Sequence, residues 1–151
     1  MLSQFLADSF GVWGNSRYLL PMQFIEHLCK MLDVDVDSSA FDRSILTWRI
    51  EQLLRDSDDP PLRLLKAYLS GEKSDLKRFQ FARQIAHLFD QYQIMRPQLI
   101  RSWDAGRRFT DNSSEVWQLH LWQKLREHHP DSHRGEVIGS LIDYLQKSPQ
   151  D

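Results

Sequence analysis

A chain of 151 residues with a formal net charge of −2 suits one domain around one core, and it excludes a chain-wide basic field for nucleic acid without excluding a local groove. Apolar residues make up 41% and charged residues 26%, the balance of an ordinary globular protein rather than of a disordered or membrane-embedded one.

The opening stretch MLSQFLADSF puts Leu2, Phe5, Leu6 and Phe10 on one helical stripe from the first turn, with no cap or loop ahead of it. It reads as a helix cut from a larger protein, stopped by Gly11. Residues 12–19 form a loop around Gly14 and Asn15. Pro21 is placed as the first-turn proline of a second helix, whose inner face is Phe24, Ile25, Leu28, Cys29 and Leu32. Cys29 is the only cysteine, so a disulfide framework and a CxxC metal site are both excluded; its apolar setting predicts a buried thiol.

A polar break over residues 33–39 precedes a third helix capped by Asp42 or Ser44, with Leu46, Ile50, Leu53 and Leu54 as its stripe and Trp48 alongside. DSDDPP (56–61) is a turn, and Pro61 starts a short fourth helix through Leu65, Tyr68 and Leu69. Ser74 caps a long fifth helix that runs to Met95. Pro97 opens a sixth, carrying Leu99, Ile100 and Trp103, and Gly106 closes it. Ser113 or Ser114 caps a seventh with Trp117, Leu121, Trp122 and Leu125. Beyond Pro130 the last helix carries Val137, Ile138, Leu141, Ile142 and Leu145, followed by a polar tail. No stretch alternates with period two and no repeat recurs at a fixed period. The expected fold is all-α, an irregular bundle of seven to eight helices. No run approaches the ~18 apolar residues of a membrane span and no secretory leader opens the chain, so a cytoplasmic protein is expected.

Catalytic signatures are missing from the sequence. There is no GxxxxGK[ST], no GxGxxG and no GxSxG. The paired acids Asp58–Asp59 and Asp35/Asp37 lie in turns, where a solvated loop explains them. His128, His129 and His133, with Glu127 and Asp131 nearby, cluster without the spacing of a helical ligand pair and read as a solvated helix end. No metal site is expected. Most aromatics, including Trp48, Trp103, Trp117, Trp122, Phe24 and Phe89, fall on helical stripes and are expected in the core. Trp13 and Tyr18, in the first loop, are candidates for exposed stacking platforms.

The fifth helix stands apart from this pattern. In FARQIAHLFDQYQIMRP (81–97), Ile85, Leu88, Phe89 and Tyr92 form an apolar stripe, while Arg83, His87, Asp90 and Gln91 fall on another side. A solvated face usually carries more Lys and Glu. A fixed charge, a titratable ring, an acceptor and an amide in one row suit the reading of base edges or the holding of a partner, although composition alone favours a structural polar face decorated by i,i+4 pairs.

The segment LFDQYQIMRPQLIRSWDAG (88–106) resembles the RecC family, the gamma subunits of the bacterial exodeoxyribonuclease V complex RecBCD. The likeness continues in FGVWGNSRYLLPMQFI (10–25), SAFDRSILTWRIEQLL (39–54), LLKAYLS (64–70) and VWQLHLWQKL (116–125). It implies the first region of a subunit with an inactive superfamily 1 helicase fold. Residues 1–20 would be the junction with helicase-like domain 1A, residues 21–145 the helical insertion known as domain 1B, and residues 146–151 a tail. The implied role is noncatalytic: guiding the 3′-ended single strand beside the RecB and RecD motors and helping to recognise Chi, the regulatory octamer. No cofactor is implied in this stretch, ATP and Mg being used by the partner subunits.

Carried over by motif, the implied strand-reading residues are Leu20 before Pro21, Leu88 and Asp90 of LFDQY, Arg96 before Pro97, and Arg134 in SHRGEVI. Glu26, His87 and Gln91 are further candidates. Glu26 stands where the family's best-known member has tryptophan, and His87 where it has aspartate, which puts recognition of the same octamer in question. Each bidentate base contact supplies ~1–3 kcal/mol of discrimination, so this chain alone is expected to bind single strands weakly and without useful specificity. The competing expectation is an independent all-α protein-interaction domain with no DNA role.

Overall fold

The computed structural model describes residues 5, 8–9, 19–33, 39–128 and 133–147, in two compact units, residues 1–35 and 36–151. Trp13, Tyr18, His129 and Asp131 lie outside the described residues.

In the first unit, Phe5, Asp8 and Ser9 have helical backbone, and α1 spans Pro21–Met31. Pro21 does open this helix, because its missing N–H would be orphaned there anyway. Leu20, the residue before it, has extended backbone, and its N–H donates to Gln23 Oε1 at 3.0 Å, half of a capping box. Cys29 is buried as expected, and burial pushes its thiol pKa up. Phe24 departs from expectation: it is 51% exposed although it lies on the apolar stripe.

Among the described residues, the second unit holds six α-helices: α2 (Arg43–Asp56), α3 (Arg63–Leu69), α4 (Ser74–Met95), α5 (Pro97–Asp104), α6 (Ser113–His128) and α7 (Arg134–Lys147). Short 3-10 turns at Ser39–Phe41 and Pro60–Leu62 precede α2 and α3. No strand occurs among the described residues, so the all-α expectation holds. No described helix is long and apolar enough to cross a membrane.

The central pairing is α2 against α4. Leu46, Ile50 and Leu54 bury one stripe of α2, and Ala82 and Ala86, four residues apart and fully buried on α4, leave room for a close approach. The core continues through Phe89, Trp103 and Trp122. Phe89 meets Trp103 and Trp122 edge to face at centroid distances of 5.8 and 5.5 Å, the geometry favoured by the ring quadrupoles.

Several local expectations shift by a residue or a face. The N-terminus of α6 is capped by Asn112, not Ser113 or Ser114: Asn112 Oδ1 accepts the Ser114 N–H at 2.9 Å. Lys73, in left-handed backbone (φ 61°), takes the capping position before α4, and Ser74 is already helical. Asp42 occupies the N-cap of α2 but makes no cap bond; its carboxylate is engaged elsewhere. Trp48, expected in the core, is 64% exposed and leans on Phe79 at 5.1 Å. On α7, Val137 and Leu141 are buried, whereas Ile142 and Leu145 are exposed.

Acids of the 56–61 turn are not simply solvated either. Asp58 accepts from Lys66 at 2.7 Å and Asp59 from His120 at 2.8 Å. Those bonds hold both carboxyls below the ordinary carboxylate range and tie the turn to α3 and α6.

Candidate nucleic-acid interface

The fifth predicted helix, now α4, presents two sides as its sequence requires. Ile85 and Phe89 are buried, while Leu88 and Tyr92 are half-buried against the same core. Arg83, His87 and Gln91 are exposed in a row on the other side, with Asp90 half-buried at the border. The helix ends at Arg96, whose φ of −133° and ψ of 57° depart from helical values because the following proline crowds an α conformation. The exposed Arg96 guanidinium lies 5.4 Å from the Tyr92 ring centroid, a cation–π contact that aims its remaining donors outward.

Asp90 and Arg134, 44 residues apart, are brought together by α7 docking on α4. Arg134 Nη1 donates to Asp90 Oδ1, and Nη2 donates to Asp42 Oδ1 at 2.7 Å. The guanidinium therefore bridges the N-terminus of α2 and the polar border of α4. Its backbone N–H donates to Gln93 Oε1 at 3.0 Å, and Gln93 Nε2 donates to the Phe89 carbonyl at 3.3 Å. Arg134 Nε is buried without a partner among the described residues, a cost that the two charge-assisted bonds offset. Close approach at this seam depends on Gly135: a Cβ there would lie 3.0 Å from the Gln93 carbonyl oxygen.

Among the described residues, the other candidates take no part in these hydrogen bonds. Leu20, 68% exposed, and Glu26, also exposed, belong to the first unit. His87 and Gln91 stay on the open side of α4. Sequence reasoning missed Gln93 and Asp42. Gln93 had a readable signal, since it follows Ile85 and Phe89 at four-residue steps and so occupies a core position. Asp42 had none, being 92 residues from its partner.

His133 overturns the expectation of a solvated histidine cluster. It is 2% exposed, and its Nε2 lies 3.0 Å from Asp104 Oδ2. Its backbone N–H donates to Glu136 Oε2 at 3.0 Å. Asp104, His133 and Glu136 converge closely enough to resemble a ligand triad. However, Arg126 Nη2 donates to Glu136 Oε1 at 2.8 Å and Nε stands 3.5 Å from Asp104 Oδ1, while Trp122 Nε1 donates to the same Asp104 oxygen at 2.9 Å. A guanidinium already supplies positive charge here, and Asp104, His133, Glu136 and Arg126 form an ion-pair network. Burial opposes ionisation of Asp104, but hydrogen bonds from His133 and Trp122 and the Arg126 charge outweigh it and hold its pKa below the ordinary value.

The sequence matches the protein family described as "RecC, N-terminal domain" over residues 1–151. It is 29% identical to the RecBCD enzyme subunit RecC of Escherichia coli K12 over 158 aligned positions, covering 97% of this chain and 14% of that relative. It is 32% identical to the RecC subunit of Haemophilus influenzae, covering 80% of this chain and 13% of the relative. The corresponding figures for Mycolicibacterium smegmatis RecC are 31%, 83% and 12%. The chain thus spans about one seventh of the length of its curated relatives or less. With the family match running from first residue to last, through the α4 segment that holds Asp90 and Arg96, the chain belongs to the RecC N-terminal domain family.

Proposed function

We propose that this chain is a noncatalytic DNA-handling element of an exodeoxyribonuclease V gamma subunit, guiding the 3′-ended single strand and contributing to Chi recognition in the repair of double-strand breaks. In this reading residues 1–20 join a helicase-like domain 1A, residues 21–145 form the helical domain 1B, and residues 146–151 lead onward. RecB and RecD are its protein partners in the cytoplasm, and they supply the ATP- and Mg-dependent chemistry. The observation that carries the reading is the polar side of α4. Arg83, His87 and Gln91 stand exposed beside Asp90, with Arg96 at the end of the same helix. Such a set offers donors and acceptors to the open base edges of a threaded single strand.

In this reading Asp90 and Arg96 take different roles. Asp90 is held by Arg134, so the pair acts as one unit that shapes the border of the strand path, while Arg96 is free to approach the strand. Arg96→Ala in the assembled complex is expected to abolish or weaken the Chi response while unwinding continues. Asp90→Ala is expected to do the same with an added loss of stability. A normal Chi response in both variants, assayed separately from unwinding, would reject the proposal.

A further inference from the structure

Trp48 presents its ring to solvent on the side of α2 that faces α4 residue Phe79. The two rings lie 5.1 Å apart at 50° and form one wall of an open groove of about 530 Å³. Arg43, Arg83 and Arg134 line the same groove, together with Asp42. Arg134 is neutralised by Asp42 and Asp90. Arg43 and Arg83 are exposed and make no ion pair among the described residues. An exposed indole braced from one side, with two uncompensated guanidinium groups beside it, is complementary to a base and its flanking phosphates. A protein partner would need acidic groups matched to both arginines, whereas a phosphodiester backbone supplies negative charge at regular spacing whatever its sequence.

We infer that the Trp48–Phe79 groove is a sequence-independent stacking site for single-stranded nucleic acid, with Arg43 and Arg83 holding the backbone. The inference rests on the strand-handling function proposed above and extends it to a surface outside the Asp90–Arg96 row. Arg134 joins the two, since it lines this groove and also holds Asp90. The stack would grip the strand without reading it, leaving discrimination to the row on α4.

The test uses the 151-residue chain and a short labelled oligodeoxythymidine carrying a photoreactive iodouracil. The expected result is a cross-link to the Trp48 or Phe79 peptide, and binding weakened about tenfold by Trp48→Ala, as for the loss of one stacked base. Trp48→Phe should restore most of the affinity. Removing each of Arg43 and Arg83 should lower the slope of log affinity against log salt by ~0.7. If Trp48→Ala and the arginine variants bind like the wild type and cross-links fall only near Gln91 and Arg96, the groove assignment fails while the proposed function stands. If the folded wild-type chain binds no strand even at low salt, the groove assignment fails, and the Chi-response assay decides the proposed function separately. Protection of Trp48 from hydroxyl-radical oxidation in the DNA-free assembled complex would overturn the assignment in favour of a protein contact.

Discussion

Glu115 and the Trp48 groove lie in the same unit and treat charge in opposite ways. The Glu115 carboxylate is buried among four donors. Oε1 accepts from Trp103 Nε1 at 2.8 Å and from the Phe109 N–H at 2.6 Å; Oε2 accepts from the Thr110 N–H at 2.7 Å and from the Thr110 hydroxyl. Burial alone would raise its pKa, but these bonds outweigh that and lower it to about 2. Nearby, Asp104, His133, Glu136 and Arg126 are likewise mutually satisfied. Across the unit, Arg43 and Arg83 make no ion pair among the described residues, and Trp48 is largely exposed beside Phe79. Closed networks of this kind hold helices and loops in place; unmatched cations beside an exposed ring have no structural task that accounts for them.

That contrast sets an order of expected effects. Glu115→Gln puts an amide donor against backbone donors and should cost about 3 kcal/mol, read from the urea midpoint. Because the folded carboxyl titrates near 2 against an ordinary value of 4.5, its contribution is present above the unfolded pKa. It is lost as pH falls from about 5 to about 2. The variant should lack that part of the acid sensitivity, and an unchanged acid profile would show that Glu115 is not the group responsible. Arg134→Ala leaves Asp42 and Asp90 facing one another and should cost about 2 kcal/mol; a double-mutant cycle with Asp42→Asn should show non-additivity of about 1 kcal/mol. Asp104→Asn, which turns a shared acceptor partly into a donor, should cost about 1.5 kcal/mol in the same denaturation assay. Trp48→Ala should shift stability by less than about 0.5 kcal/mol. A large loss there would move Trp48 from the open side of the comparison to the closed one.

The helices were legible because apolar residues at steps of three and four report a helix whatever it packs against. The same signal does not say which aromatic on a stripe is covered. Trp48 and Trp122 look alike in sequence, yet Trp122 packs its ring against Phe41, Phe89 and His133, whereas among the described residues Trp48 has a ring contact with Phe79 alone. His133 was misread for a related reason. Its neighbours in sequence are polar, and the acid that holds it, Asp104, is 29 residues away. At the candidate site, Asp90 already stood out in the polar row of the fifth helix, whereas Arg96 and Arg134, and the strand-reading role of all three, came from the family resemblance and not from any spacing rule. Their division into a bridged pair and a free arginine became visible only once α7 was seen against α4.

The Arg134 bridge also has a consequence for the order in which this unit can assemble. It joins residues 42, 90 and 134, the widest span being 92 residues, so without α7 the two carboxylates at the α2–α4 seam would lack the cation they share. The apolar residues of their seam belong to α2 and α4 themselves, whereas the cation comes from α7. Docking of α7 is therefore the step that turns a repulsive corner into a cross-brace. With α2 to α6 in place and α7 undocked, that corner would remain unsealed.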